Sequence, residues 1–352
     1  RVEVTPGATV AGGALHHVLV TATSTGDATK QDVVKATTTT ATRRQPDGLI
    51  RNSADTAFVG DNVYNTTGTS QTQAQIVANS AKATYVLKVQ NDGNVSDGLK
   101  VTGTKASTGW AIKYFDAVSG GTDLTASVTA TSGWTPAALA AGATKEFRVE
   151  VTPGATIAGA ALHHVSVTAT STSDTSKKDV VKATTTVRKL QPDALIRTSA
   201  ETAYTGNNVY NTTGASQTKA QTVATVATAT YVLKVQNDGN VSDSFKITGT
   251  AASTGWMIKY FDAVTEGDDI SSFVRGAMGW TPAALAAGAT KEFRVEVTPG
   301  STIAGGALHH VLVTATSTGD TTKKDVVKAT TTVRKRQPDG LIRTSAETAY
   351  TG

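Results

Sequence analysis

The sequence contains no cysteine, which excludes disulfides, thiolate metal sites and cysteine-attached haem. Long apolar runs are also missing. The apolar stretches are short and broken, so no segment is expected to span a membrane. The net charge is +5 and the isoelectric point about 9.2, yet no run of Lys and Arg exceeds three residues. The clustered basic footprint of a nucleic-acid-binding protein is therefore lacking. Long helix formers are sparse beside Thr, Ala, Val and Gly, a strand-rich composition. No secretion signal is visible, as expected if the true N-terminus lies upstream.

What the sequence does have is repetition. Residues 147–154 (FRVEVTPG) return at 293–300, and their tail RVEVTPG opens the chain at residues 1–7. Residues 85–97 (YVLKVQNDGNVSD) recur unchanged at 231–243. Gln45-Pro46-Asp47-Gly48 recurs as Gln191-Pro192-Asp193-Ala194 and Gln337-Pro338-Asp339-Gly340, 146 positions apart each time. One module of ordinary domain size is being rewritten. The expected division is the C-terminal part of a repeat at 1–44, complete repeats at 45–190 and 191–336, and the start of the next at 337–352. The chain opens and closes inside a module, so it is expected to be a window on a longer tandem array.

Within residues 191–336, Pro192-Asp193 reads as a turn and a handover point between modules. Residues 195–198 are expected to form a short first strand. Residues 199–223 are polar and rich in Gly and Asn, with tyrosines at Tyr204 and Tyr210. Loops beyond ~12–15 residues are uncommon unless functional or linking. Residues 228–236 form the clearest strand, with Tyr231, Leu233 and Val235 on one face. The Asp238-Gly239 that follows is a hairpin signal. Further strands are expected at 245–248, 255–261, 291–298, 308–316 and 325–333, with a short edge strand at 269–274. Seven short strands, turn signals between them and no convincing helix predict an all-β fold: tandem Ig-like antiparallel β-sandwich modules. Trp256 is expected to fill the centre.

Residues 229–245 (ATYVLKVQNDGNVSDSF) resemble the second hairpin of prokaryotic extracellular Ig-like domains, the CARDB and NEW3-type repeats of cell-surface proteins. Residues 285–299, Ala304-Gly305 and residues 311–317 are similar to the final strands of those domains. The resemblance covers the second half of each module, and the segment from Tyr204 to position 223 falls outside it. It implies an exported structural or adhesive role and names no catalytic residue.

The candidate chemistry is thin. His16-His17, His163-His164 and His309-His310 sit on strands, where neighbours point to opposite faces, so a metal would need ligands from elsewhere. Asn237, Asp238, Asn240 and Asp243 place oxygen ligands at short spacing, and calcium is the one cofactor they allow. A full calcium loop needs 6–8 oxygens and usually a distal Glu, whereas turn chemistry explains these residues without an ion. Asn65, Asn94, Asn211 and Asn240 open N-glycosylation acceptor patterns; Asn65 and Asn211 lie in segments expected to be exposed. No Gly-x-Ser-x-Gly elbow occurs, and Asp268-Asp269 becomes Thr122-Asp123 in the other copy. Ala304-Gly305-Gly306 opens no helix, so it makes no phosphate cradle. An enzyme is not expected.

The expected function is that of a structural protein of an extracellular fibre or filament, with copies of itself and the cell surface as partners. Identical modules make identical junctions, and hence a quasi-one-dimensional stack. The polar segment is expected to leave its own sandwich and contact a neighbour through Tyr64, Tyr204, Tyr210 and Asn208. The alternative is a stalk or ligand-binding array of a cell-surface adhesin.

Overall fold

The computed structural model describes residues 1–336, 341–342, 345–346 and 348. Expectations for residues 337–352 therefore lie almost wholly outside the described residues. The chain divides into two compact units, Arg1–Arg188 and Lys189–Gly352.

The first unit opens with a two-stranded antiparallel sheet, β1 (Leu15–Thr23) and β2 (Gln31–Thr39). Among the described residues these strands form a sheet of their own with no second layer over it. Val33 and Val34 are about half exposed, whereas Val180 and Val181, the same residues of the next copy, are buried. Then come β3 (Pro46–Asn52), β4 (Thr72–Val77), β5 (Ala83–Asn91), β6 (Leu99–Gly103), β7 (Trp110–Phe115), helix α1 (Thr125–Thr129), β8 (Thr144–Pro153), β9 (Leu162–Ser171) and β10 (Lys178–Val187). They make two four-stranded sheets, ordered β3-β5-β8-β7 and β4-β10-β9-β6.

The second unit repeats the order with β11 (Pro192–Thr198), β12 (Thr218–Val223), β13 (Ala229–Asn237), β14 (Phe245–Gly249), β15 (Trp256–Phe261), α2 (Ser271–Arg275), β16 (Thr290–Pro299), β17 (Leu308–Ser317) and β18 (Lys324–Val333). Its sheets are β11-β13-β16-β15 and β12-β18-β17-β14. The pairing is antiparallel except at one edge of each second sheet, where β4 runs parallel to β10 and β12 to β18. The all-β fold follows from the period-two pattern: on β16, Phe293, Val295 and Val297 are buried while Glu296 and Thr298 stay half exposed. A sheet with one apolar face must cover it with another layer.

The centre of the core is held by tyrosine. Tyr231 and Tyr260 are fully buried, and Phe245 and Phe293 nearly so. The Tyr231 hydroxyl crosses to the other sheet and donates to the Thr330 carbonyl at 2.5 Å. The Tyr260 hydroxyl donates to the Thr250 carbonyl at 2.9 Å. Each ring thus keeps its polar end satisfied while its body is buried. Trp256 sits at the rim instead, 8% exposed and stacked on His309 at 4.9 Å.

Four expectations are corrected. The Asp238-Gly239 stretch is not a hairpin: β13 and β14 belong to different sheets. A two-residue type I′ hairpin turn needs positive φ at both central residues, and neither Asp238 nor Gly239 has it. Residues 269–274 form no strand, because Asp269 accepts the Ser271 N–H and nucleates α2, which buries Val274. Pro192-Asp193 begins β11 rather than turning; proline is tolerated as a first strand residue. The polar segment does not leave its sandwich. Thr205 bridges to Ile196, and β12 adds a parallel strand to β18 of the same unit.

Phe293→Ala should destabilise the second unit by about 3–5 kcal/mol, as expected for a buried aromatic. Met257→Ala, at a half-exposed position on β15, should shift it by less than about 0.5 kcal/mol. Urea titration of the two variants checks the difference.

Candidate functional site

The turn after β5, residues 91–97, brings several separate pieces of backbone together. Asn91 is buried; its amide donates to the carbonyls of Val95 and Leu139, both at 2.8 Å, and its Oδ1 accepts the Gly93 N–H at 3.0 Å. The turn is thereby rigid from inside. From outside it is gripped by two stretches that precede β3. The Arg43 N–H donates to Asn94 Oδ1 at 2.7 Å, and Asn94 Nδ2 donates to the Ala41 carbonyl at 3.0 Å. The Asn94 N–H donates to the Arg43 carbonyl, and the Gly12 N–H to the Asn94 carbonyl. The Arg43 guanidinium reaches the Asp92 carbonyl, and that of Arg44 reaches the Ser96 carbonyl.

Glycine makes the approach feasible at two places. A Cβ on Gly12 would stand 2.6 Å from both Asn94 Oδ1 and Val95 Cγ1, and one on Gly93 would strike the Arg43 carbonyl. Part of the grip recurs in the second unit. The Lys189 N–H donates to Asn240 Oδ1 at 2.7 Å, and the Asn240 N–H to the Lys189 carbonyl at 3.0 Å. Leu190 stands where Arg44 stands in the first unit and is buried against Gly319. Arg44 instead lies 3.7 Å from the buried Asp97 carboxylate.

The tyrosines of the polar segment brace the other side of this turn. The Tyr64 hydroxyl donates to Asp92 Oδ2 at 2.7 Å, and that of Tyr210 to Asp238 Oδ2 at 2.7 Å. Both rings remain about 40% exposed, at 42% and 41%. Burial and the neighbouring carboxylate push both phenols well above their ordinary range. Lys189 lies over the Tyr210 ring, 6.0 Å from its centre. Asn208, at φ 57°, accepts the Tyr210 hydroxyl and donates its N–H to Asp193; Asn tolerates this left-handed conformation better than most residues. Tyr204 lies apart from the turn. Its hydroxyl donates to Glu292 at 2.6 Å, and its ring packs beneath Lys234 and Arg197. Burial pushes its phenol up to about 12.

Each of the four calcium candidates is engaged in hydrogen bonds with the protein. Asp238 receives Tyr210 and Gln236, Asn240 receives Lys189, and Asp243 receives Ser317 and Ser244, while Asn237 is turned into the β13 terminus. Among the described residues no group of three or more His, Asp or Glu is placed to hold a metal ion. The His pairs do point to opposite faces. His163 and His309 stack on Trp110 and Trp256, and burial lowers their pKa. His164 and His310 hydrogen-bond Thr184 and Thr330 outside. Of the glycosylation candidates, Asn94 and Asn240 have side-chain oxygens committed to the grip. Asn65 and Asn211 cap their own loops; Asn211 Oδ1 accepts three backbone N–H groups and Nδ2 donates to the Ala215 carbonyl.

Sequence reasoning missed a second cluster. Asp47, Gln71 and Asp179 in the first unit, and Asp193, Gln217 and Asp325 in the second, are fully buried. Their signal was present: a carboxylate opens the apolar Asp325-Val326-Val327 run, at the same position in each copy.

No protein-family model matches the chain, and no curated protein does. Among solved structures, the C-terminal domain of the Streptococcus agalactiae antigen I/II polypeptide BspA aligns at 12% identity and a TM-score of 0.35. That alignment covers 82% of this chain and 99% of that one. The C-terminal domain of the Streptococcus pyogenes antigen I/II-family protein AspA aligns at 12% and 0.32, covering 83% and 99%. The secreted serine protease VesC of Vibrio cholerae aligns at 11% and 0.23, covering 65% and 46%. At these values the likeness carries no argument about function. Among the described residues no helix is long and apolar enough to cross a membrane.

Asn94→Ala removes a donor and an acceptor at once and should cost about 1–3 kcal/mol. Asn94→Asp keeps the acceptor for Arg43 and should cost less. Denaturant titration of the first unit ranks the two.

Proposed function

We propose that the chain is a length of an extracellular structural fibre, in which each β-sandwich module is gripped by the one before it. The observation that carries this reading is the double hold on Asn94, by Gly12 on one side and by Ala41 and Arg43 on the other, residues that belong to the preceding repeat by sequence. Part of this hold recurs on Asn240, through Lys189. A tether would leave this turn to solvent; here it is matched by backbone donors and acceptors, and by glycines that admit close approach. Backbone hydrogen bonds at a junction fix its angle, and a fixed angle repeated along a tandem array produces a regular thread. Tyr64 and Tyr210 serve this junction by stiffening the turn, and Lys189 lies over the Tyr210 ring. Tyr204 serves the packing of its own sandwich. The role is non-catalytic, the partners are copies of the same module, and the location is the cell surface.

The alternative, a ligand-binding adhesin array, has one observation in its favour. Lys100, Thr102, Thr170 and Lys178 line a shallow groove on the outer face of one sheet, and Lys246, Thr248, Thr316 and Lys324 line its copy in the second unit.

Electron micrographs of a long tandem stretch of these repeats should show stiff rods of uniform pitch. Asn94→Ala with Asn240→Ala should turn the rods into flexible chains of intact beads. Flexible beads from the parent protein would refute the fibre reading and favour the stalk.

A further inference from the structure

Each sandwich buries two carboxylates where its first strand, polar segment and last strand meet. In the first unit, Asp179 of β10 is well served. Its Oδ2 accepts the Gly48 N–H at 2.7 Å; its Oδ1 accepts the Asn65 N–H at 2.9 Å and Gln71 Nε2 at 2.8 Å. Asp47 of β3 is not. Its Oδ2 accepts the Asn62 N–H at 3.0 Å, but its Oδ1 has no partner. Gln71 has the matching deficit. Its Nε2 donates to Asp179 and to the Val63 carbonyl, which fixes the orientation of the amide, and its Oε1 has no partner. The second unit reproduces every part. Asp325 is served by Ala194, Asn211, Gln217 and Val326, while Asp193 Oδ1 and Gln217 Oε1 are bare.

In each cluster a carboxylate oxygen and an amide oxygen are buried acceptors without a hydrogen. Buried polar groups in native proteins are almost always paired, and leaving one bare is costly. The charge count points the same way. Among the described residues no Lys or Arg forms an ion pair with Asp47, Asp179, Asp193 or Asp325. The charges that act most strongly on Asp47 are those of Asp92, Asp179 and Asp61, all of its own sign. On Asp193 they are those of Asp238 and Asp325, with Lys234 opposing. Two neighbouring buried carboxylates without a counter-ion do not both ionise.

We propose that Asp47 and Asp193 are neutral carboxylic acids in the folded protein, each donating its proton to the amide oxygen of Gln71 or Gln217. The module then carries a proton-dependent lock between its first strand and its polar segment. Burial, against the pull of one N–H, pushes both carboxyls up to about 7, whereas an aspartate in an unfolded chain titrates at about 3.9. Between these values the folded state holds the proton and the unfolded state does not. The lock's contribution to stability is therefore complete below about pH 4 and is lost as the pH rises through about 7. The same segment carries Tyr64 and Tyr210, so loss of the proton loosens the brace behind the gripped turn.

The test compares the full chain with the double variant Asp47→Asn, Asp193→Asn. The asparagine amide has the shape of the protonated acid and donates to the same oxygen at any pH. The parent's Tm should fall by about 5 °C between about pH 5 and about pH 8.5, and the variant should lose most of that dependence and melt higher than the parent at the alkaline end. A side-chain carboxyl carbon titration by NMR on the parent should place the Asp47 and Asp193 midpoints near 7. The proposal is overturned by midpoints in the ordinary aspartate range, or by a variant that melts lower than the parent at both pH values. It is also overturned if calcium chloride restores the parent's acid Tm at the alkaline end, which would assign the gap to a cation.

Discussion

The carboxylate of Asp179, with its copy Asp325, is the tie on which the rest of each sandwich depends. It stands at the start of the last strand and accepts N–H groups from the first strand and from the polar segment. A buried carboxylate that accepts several backbone N–H groups is strongly held. It turns a 25-residue polar stretch, which could have been a free loop, into part of the fold. It fixes the polar stretch beside the last strand, where β4 and β12 add their parallel ladders. The parallel edge pairs are thus a consequence of side-chain chemistry as much as of strand propensity.

From this tie the structure builds outward to the turn after β5 and β13. Asn91 and Asn237 hold the turn from the core side, and Tyr64 and Tyr210 hold it from the polar segment. Asn94 and Asn240 then offer a backbone-like donor and acceptor to the incoming chain. Turn residues such as Asn and Asp are usually read as local punctuation. Here the same side chains serve contacts about 50 positions away, between Arg43 and Asn94 and between Lys189 and Asn240. The surface exposes the turn, and the chain entering each sandwich covers it.

Much of the fold was legible because period two is a local signal. Phe293, Val295 and Val297 announce a strand with one buried face wherever they occur, and tyrosines inside such runs read as core. The sheet assignment was not legible. Asp238-Gly239 has the composition of a hairpin, and only its φ angles, set by Asn237 reaching the Leu285 carbonyl and by the close Lys189 carbonyl, send the chain to the other sheet. The place of Trp256 was misjudged because size suggests the centre. The smaller Tyr231 takes it, since its hydroxyl finds the Thr330 carbonyl across the core while the indole packs on His309 at the rim. Tyr210 was singled out correctly as unusual, but its partner Asp238 lies 28 positions away and no local pattern shows that. The Asp193–Gln217–Asp325 cluster escaped because only Asp325 carries a local sign, at the head of an apolar run, while its partners lie far off in sequence.

The central claim is that the turn is held by the preceding stretch through backbone hydrogen bonds rather than resting near it. Amide hydrogen exchange at Gly12, Arg43 and Asn94 tests this most directly, since each donates one of those bonds. Protection comparable to that of the β5 amides is the result the account predicts. Exchange at the rate of an unstructured peptide, with β5 still protected, would contradict it.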